Sequence, residues 1–494
     1  MNHIFEVVNN LFAFFVPVSD LLWDFPKNVA AWAAIPVLGQ FSLAMLMLLG
    51  AGIWFTVRTG AVQLRRFGES VRIVMDRTAS ETGISPFAAF MLSSAMRAGP
   101  GNIMGVTGAV TVGGPGALFW MWVAGIFGMA TALVEATLAQ LFKEKKESEF
   151  LGGLPFYGMK VLGNRRWVGV TLATLFITYA LLNVPSQTFH LFTALGSVAS
   201  TIAGTTYGRT SAVYYAIGAA LVVSVAALVL GGLKRVIRFT DLCVPFMAVL
   251  YCGIVLVLVV VNWRLVPYFF GSVFAGAFSP EAIFGGSFGI ALQQGIKRGL
   301  MVNEAGQGTI TMAAAAADNR HPVEQGLVQS MGVFFDTVII CSMAGFVTVM
   351  ARLWTVPETF AWEATKHDKL LVFMSSARHL TPGTGLDATV QALLSVSYAL
   401  FAFTTLIGMI VFAEISANMI SRAHRFVFGI RAVGALFFVP FGVLTVLADL
   451  QLGNIWYVTD LVNILVASAN VPIILVGGKH VVAALRHYEK TGGK

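Results

Sequence analysis

The sequence predicts an all-α polytopic membrane protein with eleven transmembrane helices, arranged as a 5+5 inverted repeat plus one extra N-terminal helix. Three observations carry this expectation. Only 11% of the 494 residues are charged and 57% are hydrophobic, where a soluble domain carries roughly 25% charged residues. Apolar runs of spanning length recur along the whole chain. Two of those runs are interrupted by polar, glycine- and proline-containing segments at the depth where a spanning helix should be most regular.

A spanning helix needs about 20 apolar residues. Such runs lie near 35–57, 86–112, 116–141, 168–199, 211–232, 241–262, 281–317, 327–351, 391–415, 431–449 and 456–477. The 281–317 run is too long for one regular span and reads as two half-helices in series. Ahead of the first run, Ile4 to Trp23 reads as a partly amphipathic stretch stopped by Pro26 and lying in the membrane interface. It lacks the basic start and small-residue cleavage site of a signal peptide.

Lys and Arg orient the spans, because cytoplasmic loops carry the excess. Twenty-two of the 32 fall in alternate connections that share one side with the C-terminal tail. Seven fall on the other side: Lys27, Arg209, Arg264, Arg352, Lys366, Lys369 and Arg378. The remaining three, Arg97, Lys297 and Arg298, sit inside the interrupted runs. A multi-pass inner-membrane protein with its N-terminus outside and its C-terminus in the cytoplasm follows. The net charge of +8 is then loop charge, and no nucleic-acid partner is expected. Cys243, Cys252 and Cys341 all lie in apolar runs and read as buried thiols. The eight histidines form no cluster with metal-ligand spacing.

Both interrupted runs open with Ser-Pro, at Ser85-Pro86 and Ser279-Pro280, the residue types of a helix N-cap and first helical position. The first start faces the cytoplasm and the second the outside, and five spans follow each. The expected organisation is an interfacial segment over 1–34, an extra first helix and cytoplasmic loop over 35–83, repeats over 84–262 and 263–478, and a cytoplasmic tail over 479–494.

Unwound backbone at membrane depth has no partner in lipid and is tolerated where it lines a cavity. Paired broken helices mark the binding site of many secondary transporters. At the first break, Gly99 and Gly101 let a ligand approach the backbone, and Pro100 blocks regular helix. N–H groups freed near Gly101 favour a carboxylate, and carbonyls freed from Ala95 to Ala98 favour a cation. The bland alternative is a packing kink. The second break carries Asn303, Glu304, Gly306 and Gln307. Asn303 offers a donor and an acceptor. Glu304 either binds a proton or cation, or pairs with Arg97, Lys297 or Arg298, and structural pairing is the favoured reading. Thr404 and Thr405, with the Phe401 carbonyl, offer oxygen ligands to a hard cation, unless the hydroxyls bond their own helix. Gln187 lies in a polar run beside Pro185, either a ligand contact or an interhelical hydrogen bond. Glu135, Asp241, Asp336 and Glu414 read as structural anchors.

Gly99-Pro100-Gly101-Asn102-Ile103, the string from Gly113-Gly114-Pro115-Gly116 to Phe119-Trp120-Met121-Trp122, and Asn303-Glu304-Ala305-Gly306 after Arg298-Gly299 resemble the alanine/glycine:cation symporter (sodium:alanine symporter) family. So do His321-Pro322-Val323 and Asp336-Thr337. The likeness runs from about residue 40 to 475. It implies a leucine-transporter-like fold and sodium-coupled, sometimes proton-coupled, uptake of small neutral amino acids. By that likeness the Ala95, Ala98 and Phe401 carbonyls with the Thr404 and Thr405 hydroxyls form the sodium site. Gly99, Gly101 and Asn102 meet the substrate carboxylate, and Gln187, Asn303 and Gly306 complete the substrate site. Two positions depart from the family pattern. Pro100 replaces a threonine, and Met409 stands where a tryptophan is usual, exchanging a flat ring for a flexible thioether in the pocket.

The expected partners are a small neutral amino acid, Na⁺ (with H⁺ as the alternative) and the lipid bilayer, with a monomer as the working unit. No cofactor is expected beyond Na⁺ as coupling ion. A channel fits less well, because midplane half-helices close around a small zwitterion. A sensor would carry a signalling domain, for which the chain has no room. An enzyme would need a nucleophile–base pair or metal-ligand set, and none is seen.

Overall fold

The computed structural model describes residue 10 and residues 13–35, 38–76, 83–147, 149–278, 287–353, 369–381, 385–448 and 453–492. Helix dominates because a helix satisfies its own backbone polar groups within one segment, which lipid cannot do for it. In chain order the principal helices are α1 (Phe15–Asp24), α2 (Leu43–Arg58), α3 (Pro86–Arg97), α4 (Pro100–Gly113) and α5 (Gly116–Leu141). There follow α6 (Arg166–Ala203), α7 (Ala212–Val229), α8 (Leu233–Val261), α9 (Val266–Phe278), α10 (Ser287–Asn303) and α11 (Thr311–Ala316). The chain continues through α12 (Pro322–Met350), α13 (Lys369–His379), α14 (Asp387–Ile420), α15 (His424–Leu447) and α16 (Gly453–Thr491). The β-structure is a small antiparallel hairpin, Glu144–Lys146 with Glu149–Leu151, together with an isolated bridge between Ile84 and Ala317.

Among the described residues, eight helices are long and apolar enough to cross a membrane by themselves: α5, α6, α7, α8, α12, α14, α15 and most of α16. The other expected crossings fall on shorter pieces. The first is the 16-residue α2, capped by Ser42, whose hydroxyl accepts from the Met45 N–H at 3.4 Å. The second is the pair α3 and α4, and the third is α10 with α11. Helices α6 and α14 pack along each other. At 38 and 34 residues they are roughly 57 and 51 Å long, well beyond the hydrocarbon thickness.

The first interruption is short. Ser85 caps α3, its Oγ accepting from the Ala88 N–H at 3.1 Å, and Pro86 takes the first helical position. Ala98 leaves helical geometry (φ −77°, ψ 85°) and Gly99 is extended. Helix then resumes at Pro100, one residue ahead of the Gly101 start expected from sequence. At that position a proline loses no helical hydrogen bond, and its fixed φ suits the helix. The second interruption is longer, spanning residues 304–310, with Glu304, Gly306 and Gly308 in left-handed backbone at φ 55°, 86° and 75°. Its expected Ser279-Pro280 start lies outside the described residues.

The N-terminal stretch also differs from a simple interfacial helix. Its described part, α1, turns Trp23 inward against Leu461 and Ile464 of α16 and Ala44 of α2.

Candidate functional site

The two interruptions lie beside one cavity of about 380 Å³, walled by the α3–α4 junction, α6, α10, α14, the start of α16 and Lys369 of α13. Of the sequence-predicted substrate residues, Gly99, Gly101, Asn102, Gln187 and Met409 line it. Gly101 is exposed to it, and a side chain built there would meet open space. Asn102 is already engaged. Its Oδ1 accepts from the Gly99 N–H at 2.9 Å and its Nδ2 donates to Asp336 Oδ1 at 2.6 Å. It therefore braces the break while presenting an edge to the cavity.

Asn303 and Gly306 do not line the cavity. The Asn303 Oδ1 accepts from the Ala305 N–H at 3.0 Å, and its amide nitrogen would lie 2.6 Å from a side chain at Gly128, so only glycine fits opposite it on α5. The Gly306 N–H donates to Glu135 at 3.2 Å, and its carbonyl accepts from Asn470 Nδ2 at 2.9 Å. Gly306 and the Asn303 oxygen thus hold the second interruption, while Asn303 Nδ2 is buried without a partner.

The sodium candidates divide in the same way. Thr405 Oγ1 lies 2.9 Å from the Phe401 carbonyl and 3.3 Å from the Ala95 carbonyl across the interface with α3. A side chain at Gly99 would come within 2.8 Å of this hydroxyl, so the glycine is what lets α14 approach. Thr404 turns away: its hydroxyl meets the Phe401 carbonyl at 3.1 Å and Met247 Sδ of α8 at 3.5 Å. Neighbours on a helix point about 100° apart, so the two hydroxyls face different elements. The Ala98 carbonyl belongs to the residue that leaves the helix.

Glu304 lines the cavity and accepts from Thr309 Oγ1 at 2.8 Å, so the expected pairing with a basic neighbour is replaced by a hydroxyl contact. Arg97 donates from Nη2 to Gln329 Oε1 at 2.9 Å. Gly332 makes room for it, since a side chain there would lie 1.9 Å from Arg97 Nη1. Four sulfurs, from Met96, Met104, Met301 and Met409, soften the walls. Along α6, Tyr179, Asn183, Gln187 and His190 form one polar stripe facing the cavity. Gln187 Nε2 donates to Asn183 Oδ1 at 3.0 Å, while its own Oε1 is buried without a partner. At the rim Lys369 donates to Thr111 Oγ1 at 3.3 Å. Burial, then the Arg298 charge, lowers the pKa of its ammonium.

Broken helices with glycine-cleared backbone around a polar cavity match what the sequence motifs resembled, and the family profile agrees. The sodium:alanine symporter profile matches residues 27–494. The chain belongs to that family. It is a multi-pass membrane transporter, not an enzyme. Its relatives include the probable sodium/glutamine symporter GlnT of Bacillus subtilis, 33% identical over 96% of this chain and 91% of its own length. The sodium/alanine symporter AgcS of Methanococcus maripaludis is 32% identical over 88% of this chain and 91% of its own. Among solved structures, MhsT in complex with L-phenylalanine superposes with a TM-score of 0.50 at 12% identity, covering 81% of this chain and all of that one. That likeness is one of fold.

Within this family member, Glu135, expected as a structural anchor, holds the second interruption, and sequence reasoning passed over its partners Asn470 and Tyr157. Glu135, buried in the middle of α5, accepts from the N–H groups of Gly306 and Gly308, both at 3.2 Å, and from Asn470 Nδ2 at 3.0 Å. Tyr157 donates to Asn470 Oδ1 at 2.5 Å. The available signal was Asn470 itself, an amide in an apolar run two residues before Pro472, with Asn463, which lines the cavity, seven residues earlier. Asp460 and His190, which line the cavity, carried no comparable motif.

Proposed function

We propose that this chain is a sodium-coupled symporter of small neutral amino acids, alanine or glycine first, working by alternating access. The proposed architecture has eleven crossings: α2, the α3–α4 pair, α5, α6, α7, α8, the α10–α11 pair, α12, α14, α15 and α16. Residues 84–262 and 263–478 form opposed five-helix repeats, with the N-terminus outside and the C-terminus in the cytoplasm.

The observation that carries the reading is the oxygen cluster under Gly99. The Ala95 and Phe401 carbonyls and the Thr405 hydroxyl converge, buried, beside the point where α3 unwinds. Together with the Ala98 carbonyl they offer oxygen ligands of the kind a hard cation requires, and Thr404 joins them only by turning from Met247 of α8. The start of α4, with open space at Gly101, presents the positive end of a helix to a carboxylate. Gln187 Oε1 takes the ammonium. Anion and cation sites thus adjoin, so a bound zwitterion and Na⁺ stabilise each other. The relatives named for sodium/alanine and sodium/glutamine symport support this reading.

Alternating access also has support in the asymmetry across the breaks. The cavity reaches the side bearing α13. On the other side Gln140 Nε2 and Lys143 Nζ donate to the Ala317 carbonyl at 2.9 and 2.6 Å, and the Ile84 N–H pairs with Ala316 at 3.1 Å. Such a conformation faces outward, latched inside.

Reconstituted into proteoliposomes, the wild type takes up alanine down an inward Na⁺ gradient, and Thr404→Ala/Thr405→Ala abolishes that uptake with protein amount intact. Unchanged sodium dependence in the double variant sinks the ion site. Uptake driven by a pH gradient in sodium-free buffer favours proton coupling through Glu304 instead. A second reading of specificity also has an observation behind it. The cavity exceeds what alanine fills, Met409 leaves its wall pliable, and the unpartnered Gln187 oxygen suits a carboxamide. Stronger competition by glutamine than by glycine in the same liposomes favours that preference.

A further inference from the structure

Helix α1 precedes the family match, which begins at residue 27, yet it touches the cavity's frame. Its ten residues extend roughly 15 Å, half the hydrocarbon thickness, so it does not cross. Leu21, Leu22 and Phe25 are exposed, whereas only 8% of Trp23 remains accessible. The Trp23 indole N–H donates to the backbone carbonyl of Asp460 at 3.0 Å. Lys297 Nζ of α10 lies 5.7 Å from the ring centroid, within cation–π range. Met301, one turn further along α10, packs against the cluster of Trp23, Ala44, Leu461 and Ile464. Asp460 and Met301 both line the cavity, as does Arg298, the neighbour of Lys297. One ring therefore meets two helices, α10 and α16, whose residues both line the cavity.

We infer that Trp23 is a positioning residue for substrate binding: α1 braces α10 against α16 and sets where Asp460 and Met301 stand in the cavity. The inference rests on reading this cavity as the amino-acid site. The indole N–H fixes the start of α16 through the peptide of residue 460, and the ring fixes α10 through Lys297 and the Met301 contact. Without both, the cavity walls separate before substrate arrives, and substrate binding must supply the ordering. Weakened binding that is uniform between ground and transition states raises KM and leaves turnover unchanged.

The test is sodium-driven uptake of alanine and of glutamine by wild type, Trp23→Phe and Trp23→Ala in proteoliposomes at matched protein amounts. Phe keeps a ring against the cluster and over Lys297 but has no N–H. The expected KM for the transported amino acid rises about threefold in Trp23→Phe and about tenfold in Trp23→Ala, with Vmax held within about twofold. Trp23→Phe should also keep the wild-type thermal midpoint, separating positioning from folding. Wild-type KM in Trp23→Phe, with Trp23→Ala changed only in the amount of folded protein, overturns the inference and leaves Trp23 as packing. Wild-type transport with unchanged KM in both variants overturns the inference alone. Wild-type protein that accumulates neither these nor any other neutral amino acid overturns the reading of the cavity and the inference with it.

Discussion

The two interruptions solve the same problem in opposite ways. At the first, only Ala98 and Gly99 leave the helix, Asn102 recaptures the Gly99 N–H, and Pro100 restarts the helix without needing a donor. Backbone is left facing the cavity. At the second, residues 304–310 leave the helix with three left-handed residues. The N–H groups of Gly306 and Gly308 are claimed by a carboxylate on another helix, Glu135, and the Gly306 carbonyl accepts from Asn470 Nδ2. The first break is open to a ligand, and the second is held by protein. Substitutions at the first should therefore damage transport more than folding, and at the second folding more than transport.

The largest effect expected is at Glu135. Glu135→Leu leaves the buried N–H groups of Gly306 and Gly308 without acceptors, at about 1–3 kcal/mol each, and removes a partner of Asn470. Against a total stability of about 5–15 kcal/mol, a loss of about 2–6 kcal/mol takes a large share and lowers the yield of folded protein. Size-exclusion profiles of the solubilised variant should show a reduced monodisperse peak, and Glu135→Gln, with one oxygen retained, should recover part of the loss. A well-folded Glu135→Leu that has lost only transport would break the comparison, placing Glu135 in the transport cycle rather than in the scaffold.

Next comes Gly99→Ala. Its φ of −123° is open to any residue, so backbone strain is not at issue. The new methyl would sit 2.8 Å from Thr405 Oγ1, too close for contact, and must push α14 from α3 or rotate the hydroxyl off the Ala95 carbonyl. Overpacking of this kind typically costs about 1–3 kcal/mol. Sodium-driven uptake should fall at least about tenfold while the thermal midpoint drops by only a few degrees. Full uptake at the wild-type sodium requirement would mean the oxygen cluster is not where the ion binds.

This contrast was only half legible in the sequence. The first break could be read because its chemistry is local: Ser85, Pro86, Gly99, Pro100 and Asn102 act within a few residues of themselves. The polar stripe at Gln187 was legible as a break in an apolar pattern, and the wall position of Met409 only through the family resemblance. The second break could be seen but not interpreted. Its partners lie 171 residues earlier in the chain, at the Glu135 carboxylate, and 164 later, at the Asn470 amide, and nothing in the local string says which partner a glycine N–H or carbonyl will find. Asn303 and Gly306 were therefore expected at the ligand when they serve the scaffold. Thr404 and Thr405 formed one motif in sequence, yet helical geometry sends them to α8 and α3 respectively. Pro100, which departs from the family pattern, proves structurally undemanding, because the first helical position needs no N–H.

The smallest effect tests the latch that follows the second break. Lys143, half-buried at the end of α5, donates to the Ala317 carbonyl just past α11 and to Gln140 Oε1, with its ammonium 3.9 Å from the Phe150 ring centroid. Burial is the larger influence and lowers its pKa to about 8 from the ordinary 10.5, against the smaller raising effect of the Asp318 charge. Between those values the folded protein holds fewer protons than the unfolded chain, so stability rises with pH across that window. Below about pH 8 the ammonium is charged in both states and its burial penalty is present in full. Solvent screening keeps the change small. The thermal midpoint of the wild type should therefore climb slightly relative to Lys143→Met as pH is raised from 7.5 to about 9.5, with no such relative gain between pH 6 and 7. Parallel curves for the two proteins would show that the ammonium is not desolvated, and that this side of the second break is wetter than the latch geometry requires.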